Sequence, residues 1–424
     1  MNRALRDYLV FLRRCGRIAF VGDWRYYAWM GGLTVLCLVG LNAYARQLVH
    51  GLITTGMSDQ VSWGVYIANF TFLVGVAAAA VMMVIPVYIY DNEELHDLVI
   101  FGELLAVAAI LMCLAFVTVD LGRPDRFWHL IPGLGQLNFP ASMLSWDVIV
   151  LNGYLLLNVH ICGYLLYCRY RDQKPSRWFY IPFVFVAIGW AVSIHTVTAF
   201  LYVGLGGRPF WNSAIVGPRF LASAFTAGPA MIILALQVIR RITEYHITDK
   251  ALLTLRSIVQ VSMLINVFLL VNEVFKEFYS GNLHVASSKY LYLGLDGYHA
   301  LVPWIWTAIV FNLVAMFLLV LPLSRSLKWL NLTCVLCIAG IWIEKGMGLV
   351  VPGFIPTPLG QIVEYRPSLN ETLICIGIWA FGLLAYTIFL RMSVPILQGR
   401  LSRANEGRQL PDAAGEPTVS PARP

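Results

Sequence analysis

Asp120, Arg123, Asp125 and Arg126 fall within seven residues of one another, in the stretch VTVDLGRPDRFWHLIP (Val117 to Pro132), directly after an apolar run from Leu104 to Val119. Two acids and two arginines where a hydrophobic helix stops allow two chemistries. Asp120 can pair with Arg123 and simply finish the helix, or it can serve as a carboxylate that exchanges protons with a bound molecule, which requires only hydrogen-bond reach. Other polar residues interrupt apolar sequence at comparable depth: Asp147, His195, Tyr202, Arg208, Glu273 and Glu344, with Trp63, Tyr66 and Asn69 on a neighbouring segment. A charged side chain inside a bilayer costs kilocalories unless it is paired or hydrated, so each marks a candidate functional position. Each also has a plain alternative. Glu273 has Lys276 nearby and Glu344 has Lys345, His195 suits a hydrogen-bonded core, and Trp63 and Trp146 suit interfacial anchors. Glu103, Asn152, Asn158 and His160 lie deeper, where they would extend a proton path or bind helices together.

Metal and haem chemistry finds less support. The eight cysteines are scattered, and only Cys334 and Cys337 form a C-x-x-C, inside an apolar segment without a second pair. Neither zinc nor an iron–sulfur cluster is expected from that pattern. A haem held by His160 and His195 would need both at one level. Counted along their helices they lie about 21 Å and about 12 Å deep, a mismatch of about 9 Å. The glycine cluster GLGGRP (Gly204 to Pro209) lacks the strand–helix setting of a nucleotide cradle and reads as a turn.

The elements that must position these residues follow from composition. At 59% hydrophobic and 12% charged over 424 residues, the chain is far from soluble proteins, which carry about 25% charged residues. Ten segments are long and apolar enough to cross a bilayer. They run at 28–48, 61–90, 98–119, 146–168, 179–203, 218–240, 252–275, 300–322, 328–350 and 370–390, and Pro86 is expected to kink or end the second. The expected fold is therefore all-α, a polytopic bundle of about ten transmembrane helices. Placing the N-terminus inside puts 21 of the 30 Lys and Arg residues on the inner side, so both termini are expected to be cytoplasmic. The acidic loop DNEELHD (Asp91 to Asp97) is a local exception. The net charge of +7 is accounted for by this topology and implies no nucleic-acid partner.

Three regions are expected: an interfacial helix within 1–27, on the inner surface, with Leu5, Tyr8, Leu9, Leu12, Ala19 and Phe20 near one face; a membrane domain over 28–392; and a largely disordered tail over 393–424, rich in Pro, Ala, Gly and charge from Ser402 onward. The first twenty residues are too basic throughout for a cleavable signal peptide. A faint repeat runs through the domain. Trp146 to Asn152 and Trp306 to Asn312 share W-x-x-I-V-x-N, and GWAVSIHT (Gly189 to Thr196) parallels GIWIEKG (Gly340 to Gly346). It suggests two four-helix blocks, spans 2–5 and 6–9.

Several stretches resemble the NrfD/PsrC family of quinone-interacting membrane subunits: SWGVYIANFTFLVGVAAAA (Ser62 to Ala80), VDLGRP (Val119 to Pro124), SMLSWD (Ser142 to Asp147), RPFWNSAIVGPRFLASAFTAGPA (Arg208 to Ala230), GYHALVPWIW (Gly297 to Trp306) and FIPTPLGQIVEY (Phe354 to Tyr365). The ten-span form is most similar to the DsrP-type subunits of Dsr complexes of sulfur metabolism. The resemblance implies a quinone, with menaquinone the expected species, bound near the outer face by a chain that holds no haem, cluster or metal of its own. It implies an extracytoplasmic iron–sulfur partner, with a multihaem cytochrome c and further membrane and cytoplasmic subunits in a Dsr-type complex. It carries over Asp120 as the proton-exchanging carboxylate and Arg123 as its electrostatic partner. Trp63 and Tyr66 would supply ring contacts, and His195 or Tyr202 a hydrogen bond to the second carbonyl, with Asn69 and Asp147 lining the same zone. A path through Glu103, Asn152, His160, Glu273 and Glu344 would carry protons.

The expected function is thus that of a quinone-reactive subunit, not catalytic alone, in a respiratory complex of the inner membrane. A proton-coupled secondary transporter would also show ten spans, a repeat and intramembrane acids. Against it, the polar residues crowd one face and no pair of broken helices is evident. A cytochrome b-like haem protein is a third reading.

Overall fold

In a computed structural model, residues 3–281 and 285–405 are described. They form ten helices long and apolar enough to cross a membrane: Trp24–His50, Val65–Tyr88, Val99–Asp120, Met143–Tyr170, Arg177–Val203, Val216–Ile242, Asp249–Ser280, Val302–Val320, Leu327–Phe354 and Leu369–Leu397, here spans one to ten. Each overlaps the segment expected from hydropathy. Local signals set several ends. Asp23 caps span one by accepting from the Tyr26 amide at 2.9 Å, and Thr248 caps span seven through the Ala251 amide at 3.1 Å. Span ten opens on a reciprocal capping box, Ser368 with Glu371.

Spans two to five pack in a closed ring, and spans six to nine pack in a second ring with the same order of neighbours. The rings meet along spans two and six, while spans one and ten pair beside the first ring. Two close approaches make this possible. A Cβ on Gly40 would lie 2.6 Å from the Gly377 Cα, so spans one and ten cross backbone to backbone. A Cβ on Gly228 would lie 1.9 Å from the Ala79 Cβ, which ties span six to span two. The repeat is faithful in part. Trp146 and Trp306 both donate their indole N–H to carbonyls of the segment before their helix, Pro140 and Tyr292. Their motif partners diverge: Asn312 is buried and Asn152 is exposed.

Two spans are interrupted, where the sequence had shown no pair of broken helices. Span two divides into Val65–Ala78 and Val81–Tyr88. The break lies at Ala79 and Ala80, facing Gly228, while Pro86 sits inside the second piece and the helix ends two residues beyond it. Span nine passes from Leu327–Ile341 into a π-helical turn at Trp342–Met347. These interruptions fall in non-equivalent members of the two rings, unlike the matched broken helices of inverted-repeat carriers.

The helix Arg3–Ala19 has two apolar sides rather than one. Phe11, Cys15 and Ile18 pack inward, Phe11 against Tyr167 and Tyr170, while Leu5, Leu9, Leu12 and Phe20 remain exposed. The acidic loop is compensated by a neighbour. Glu94 accepts from the Thr248 hydroxyl at 2.8 Å and from Lys250 at 3.2 Å. These bonds hold its carboxyl below the usual range. Within the expected tail, span ten continues to Leu397 and a 3-10 turn covers Arg403–Asn405; residues 406–424 lie outside the described residues.

Candidate functional site

Span direction puts the ends of spans one, three, five, seven and nine on the face opposite the chain termini, called here the far face. Asp120 is the last residue of span three on that face. Asp147 lies one turn into span four, and His195 lies about 12 Å below the end of span five. Helical periodicity then aligns His195, Thr198 and Tyr202 on one side of span five.

Asp120 is partly buried, and its Oδ1 has no hydrogen-bond partner among the described residues. The backbone beside it is pinned by Gln47 of span one, whose Nε2 donates to the Val119 carbonyl at 2.6 Å. The Tyr66 hydroxyl donates to the Oε1 of the same Gln47 at 2.8 Å. Asp120 also lies within electrostatic reach of Glu371. Asp147 is buried and accepts from the Thr198 hydroxyl at 3.0 Å. His195 is fully buried; its Nδ1 faces the Ala191 carbonyl at 3.4 Å, and its Nε2 has no partner among the described residues.

Aromatic rings wall this zone. Trp63 stacks on Trp211 with centroids 5.6 Å apart, and meets Tyr202 and Phe354 edge-on, each at 5.7 Å. The Tyr202 hydroxyl bonds Thr71 of span two. Arg208 closes the far side, its guanidinium 4.8 Å from the Phe354 ring centroid. Two members of the wall are tied by hydrogen bonds as well as by ring contacts. Trp211, for example, donates to the Leu349 carbonyl at 2.8 Å.

Arg123 does not pair with Asp120. It forms a two-pronged contact with Asp125, at 3.0 and 2.9 Å, and both are exposed. The reason is local: the turn after Leu121 carries Arg123 out of the bundle, next to a carboxylate two residues away. The Asp125 carboxyl is accordingly held below its usual range by the hydrogen bonds from Arg123. Asn69 is a structural tie. Its Oδ1 accepts from the indoles of Trp342 at 3.0 Å and Trp379 at 2.9 Å, and its Nδ2 donates to the Val65 carbonyl at 2.8 Å. It joins spans two, nine and ten.

The proton-path candidates divide. Glu103 is buried near the terminal face and accepts from the Cys162 thiol at 3.0 Å; the helical rise puts it about 25 Å from Asp120. Asn152 faces outward and bonds the Val148 carbonyl of its own helix, so it cannot continue a path through the ring. His160 packs against Phe179 and Phe183 of span five, away from His195. Glu273 and Glu344 do come together, because Arg219 of span six pairs with both. Glu344 accepts from Arg219 at 2.6 Å and from the amides of Asn312 at 2.5 Å and Asn266 at 3.5 Å. Sequence neighbours therefore did not choose each other: Glu273 and Glu344 share Arg219, not Lys276 and Lys345.

Several site residues had not been singled out from sequence. Glu371 is fully buried and accepts from the Gly56 and Ser368 amides, both at 2.7 Å, and from the Tyr365 hydroxyl at 2.8 Å. The S-x-x-E spacing at Ser368 was the available signal. Burial, followed by the Glu371 charge, pushes the Tyr365 hydroxyl well above the usual phenol range. Gln47, Thr71, Thr198 and Trp211 gave no comparable signal. Among the described residues no three His, Cys, Asp or Glu side chains converge in a metal-holding group.

These features define a polytopic helical membrane protein with a buried acidic and aromatic site beneath one face. The family described as "Polysulphide reductase, NrfD" matches residues 53–355, and the chain belongs to that family. Among similar proteins, a Hdr-like menaquinol oxidoreductase integral membrane subunit of Archaeoglobus fulgidus is 23% identical, over 85% of this chain and 91% of its own length. A putative dimethyl sulfoxide reductase membrane protein of Halobacterium salinarum is 27% identical over 77% of each. A probable Ni/Fe-hydrogenase 2 b-type cytochrome subunit of Escherichia coli is 23% identical, over 87% and 91%.

Proposed function

We propose that this chain is the quinone- or quinol-handling membrane subunit of a multi-subunit oxidoreductase. One observation carries the reading. Asp120 Oδ1 and His195 Nε2 are buried polar atoms without partners among the described residues, and both are related to the aromatic wall through Tyr202, which shares a side of span five with His195 and lies within electrostatic reach of Asp120. Such atoms are costly to bury unless something completes their hydrogen bonding. A flat ring with an oxygen at each end suits an aromatic slot with a polar group at each side.

Interconversion of quinone and hydroquinone moves two electrons and two protons, and the electrons come from or go to a partner. Asp120 exchanges a proton with one ring oxygen, and His195, backed by Asp147 and Thr198, with the other. Trp63, Tyr66 and Tyr202 supply ring contacts. Asn69 keeps span two in register behind them, and Arg123, paired with Asp125, stands apart at the exposed rim. Protons travel through the buried acids Glu273 and Glu344, with Glu103 serving the terminal face. The partner is an iron–sulfur subunit seated on the far face, with a multihaem cytochrome c in the same assembly. The names of the relatives support menaquinone and an oxidoreductase complex. The DsrP-like sequence supports a Dsr-type complex in sulfur metabolism. The distribution of Lys and Arg supports an inner-membrane location with cytoplasmic termini.

The test is a titration of purified protein in detergent with a fluorescent quinol-site inhibitor, for wild type and Asp120→Asn. Saturable binding, displaced by menaquinone and weakened at least tenfold in the variant, is expected. Saturable binding that Asp120→Asn leaves unchanged removes Asp120 from the site. Absence of binding together with substrate uptake by the chain alone in liposomes favours a proton-coupled transporter.

A further inference from the structure

The π-helical turn at Trp342–Met347 carries two adjacent ionisable residues that face different neighbours. Glu344 points into the second ring, to Arg219, Asn266 and Asn312. Lys345 points into the seam between the two rings. Its Nζ lies against Gly75 of span two, donates to the Phe220 carbonyl at 3.3 Å and sits 4.3 Å from the Phe220 ring centroid. Lys345 is 5% exposed; Gly75 lies one helical turn from Thr71, whose hydroxyl bonds Tyr202 on the His195 side of span five, and His195 is within electrostatic reach of the ammonium. An ammonium has three N–H donors, and the one hydrogen bond described for it is to the Phe220 carbonyl.

Two clefts lead to this group. One is lined by Glu277, Glu273, Arg219 and Glu344 together with Tyr292 and Phe210. The other is lined by Arg219, Glu344, Ser223, Phe220 and Lys345. They share Arg219, Glu344 and Leu349, so ionisable groups follow one another from Glu277 near the far face to Lys345 between the rings. The charged side chains at their walls are groups that a bound water could bridge.

We propose that Lys345 is the proton-carrying link between the second ring and the site in the first: protons reach or leave His195 sideways, through the cleft of Glu277, Glu273 and Glu344. The inference rests on the quinone reading and adds a residue and a route to it. In the inward direction, one proton passes from the Lys345 ammonium, directly or through water, to His195 Nε2, leaving a neutral amine. The amine regains a proton from the cleft, and no electron changes hands. The reverse sequence serves quinol oxidation. Phe220 of span six and Gly75 of span two pack against Lys345, and the titratable groups within electrostatic reach of it are Arg219 from span six, Cys113 from span three, His195 from span five and its own neighbour Glu344. Of these, Glu344 and His195 are suited to exchange protons with it.

The experiment compares Lys345→Met and Lys345→Arg with wild type in the intact complex. Inhibitor affinity reports the folded quinone site; quinol turnover in H₂O and D₂O reports proton transfer. For Lys345→Met the expected result is inhibitor affinity within twofold of wild type, turnover reduced at least tenfold, and a larger solvent isotope effect. Glu344→Gln should show the same pattern more weakly. Arginine, which keeps the charge but does not release its proton, should not rescue turnover. Unchanged turnover in Lys345→Met overturns the inference and leaves the quinone reading intact. A parallel loss of affinity and turnover, with no change in isotope effect, assigns Lys345 a structural role and also overturns it. If wild type binds no inhibitor, both readings fall.

Discussion

Replacing Arg219 with Gln removes the one cation shared by two buried carboxylates. The side chains of Arg219, Glu273 and Glu344 are 14%, 11% and 3% exposed, so water can replace little of what is lost. Glu344 retains amide donors from Asn312 and Asn266, and the larger share of the cost falls on Glu273. Breaking a buried ion pair from one side costs about 3–5 kcal/mol, because the remaining charge stays desolvated. Glu273→Gln in the same background removes that stranded charge. The double variant should therefore be less destabilised than the sum of the singles, with a coupling of about 0.5–3 kcal/mol. Unfolding by SDS in mixed micelles, followed by tryptophan fluorescence, measures all four corners of the cycle. A single-variant cost below about 1 kcal/mol, the value of an exposed pair, would refute the buried fork, as would additivity within about 0.5 kcal/mol.

Asn69→Ala strips the acceptor from two indoles, Trp342 and Trp379, each costing about 1–3 kcal/mol when left unsatisfied; a lower melting temperature with altered tryptophan emission is expected, and an unchanged melting curve would show that the tie is dispensable. Gly228→Ala forces a methyl to within 1.9 Å of the Ala79 Cβ and should cost about 1–3 kcal/mol by overpacking. Ala79→Gly should recover part of it, whereas Gly163→Ala, which meets open space, should stay within about 0.5 kcal/mol of wild type. Equal effects of the two glycine variants would contradict the close approach of spans two and six.

Hydropathy made the ten spans legible because crossing a bilayer is a property of local composition: about 20 apolar residues suffice whatever surrounds them. The acids at span ends were legible for the same reason, since a charge in apolar sequence needs no partner to be noticed. The D-L-G-R-P and S-W-G elements pointed to the family that the comparison then showed. Partner choice was not legible. Arg123 turned to Asp125, Asn152 faced outward although its motif counterpart Asn312 is buried, and Asn69 became a three-span tie. An α-helix turns about 100° per residue, so the ring a side chain enters depends on helix rotation, which only packing against neighbours fixes. The π-turn at Trp342–Met347 is the sharpest case. It shifts the register inside one helix, where Glu344 faces the second ring and Lys345 the seam between the two, and it joins two bundles through residues that sequence had paired with each other.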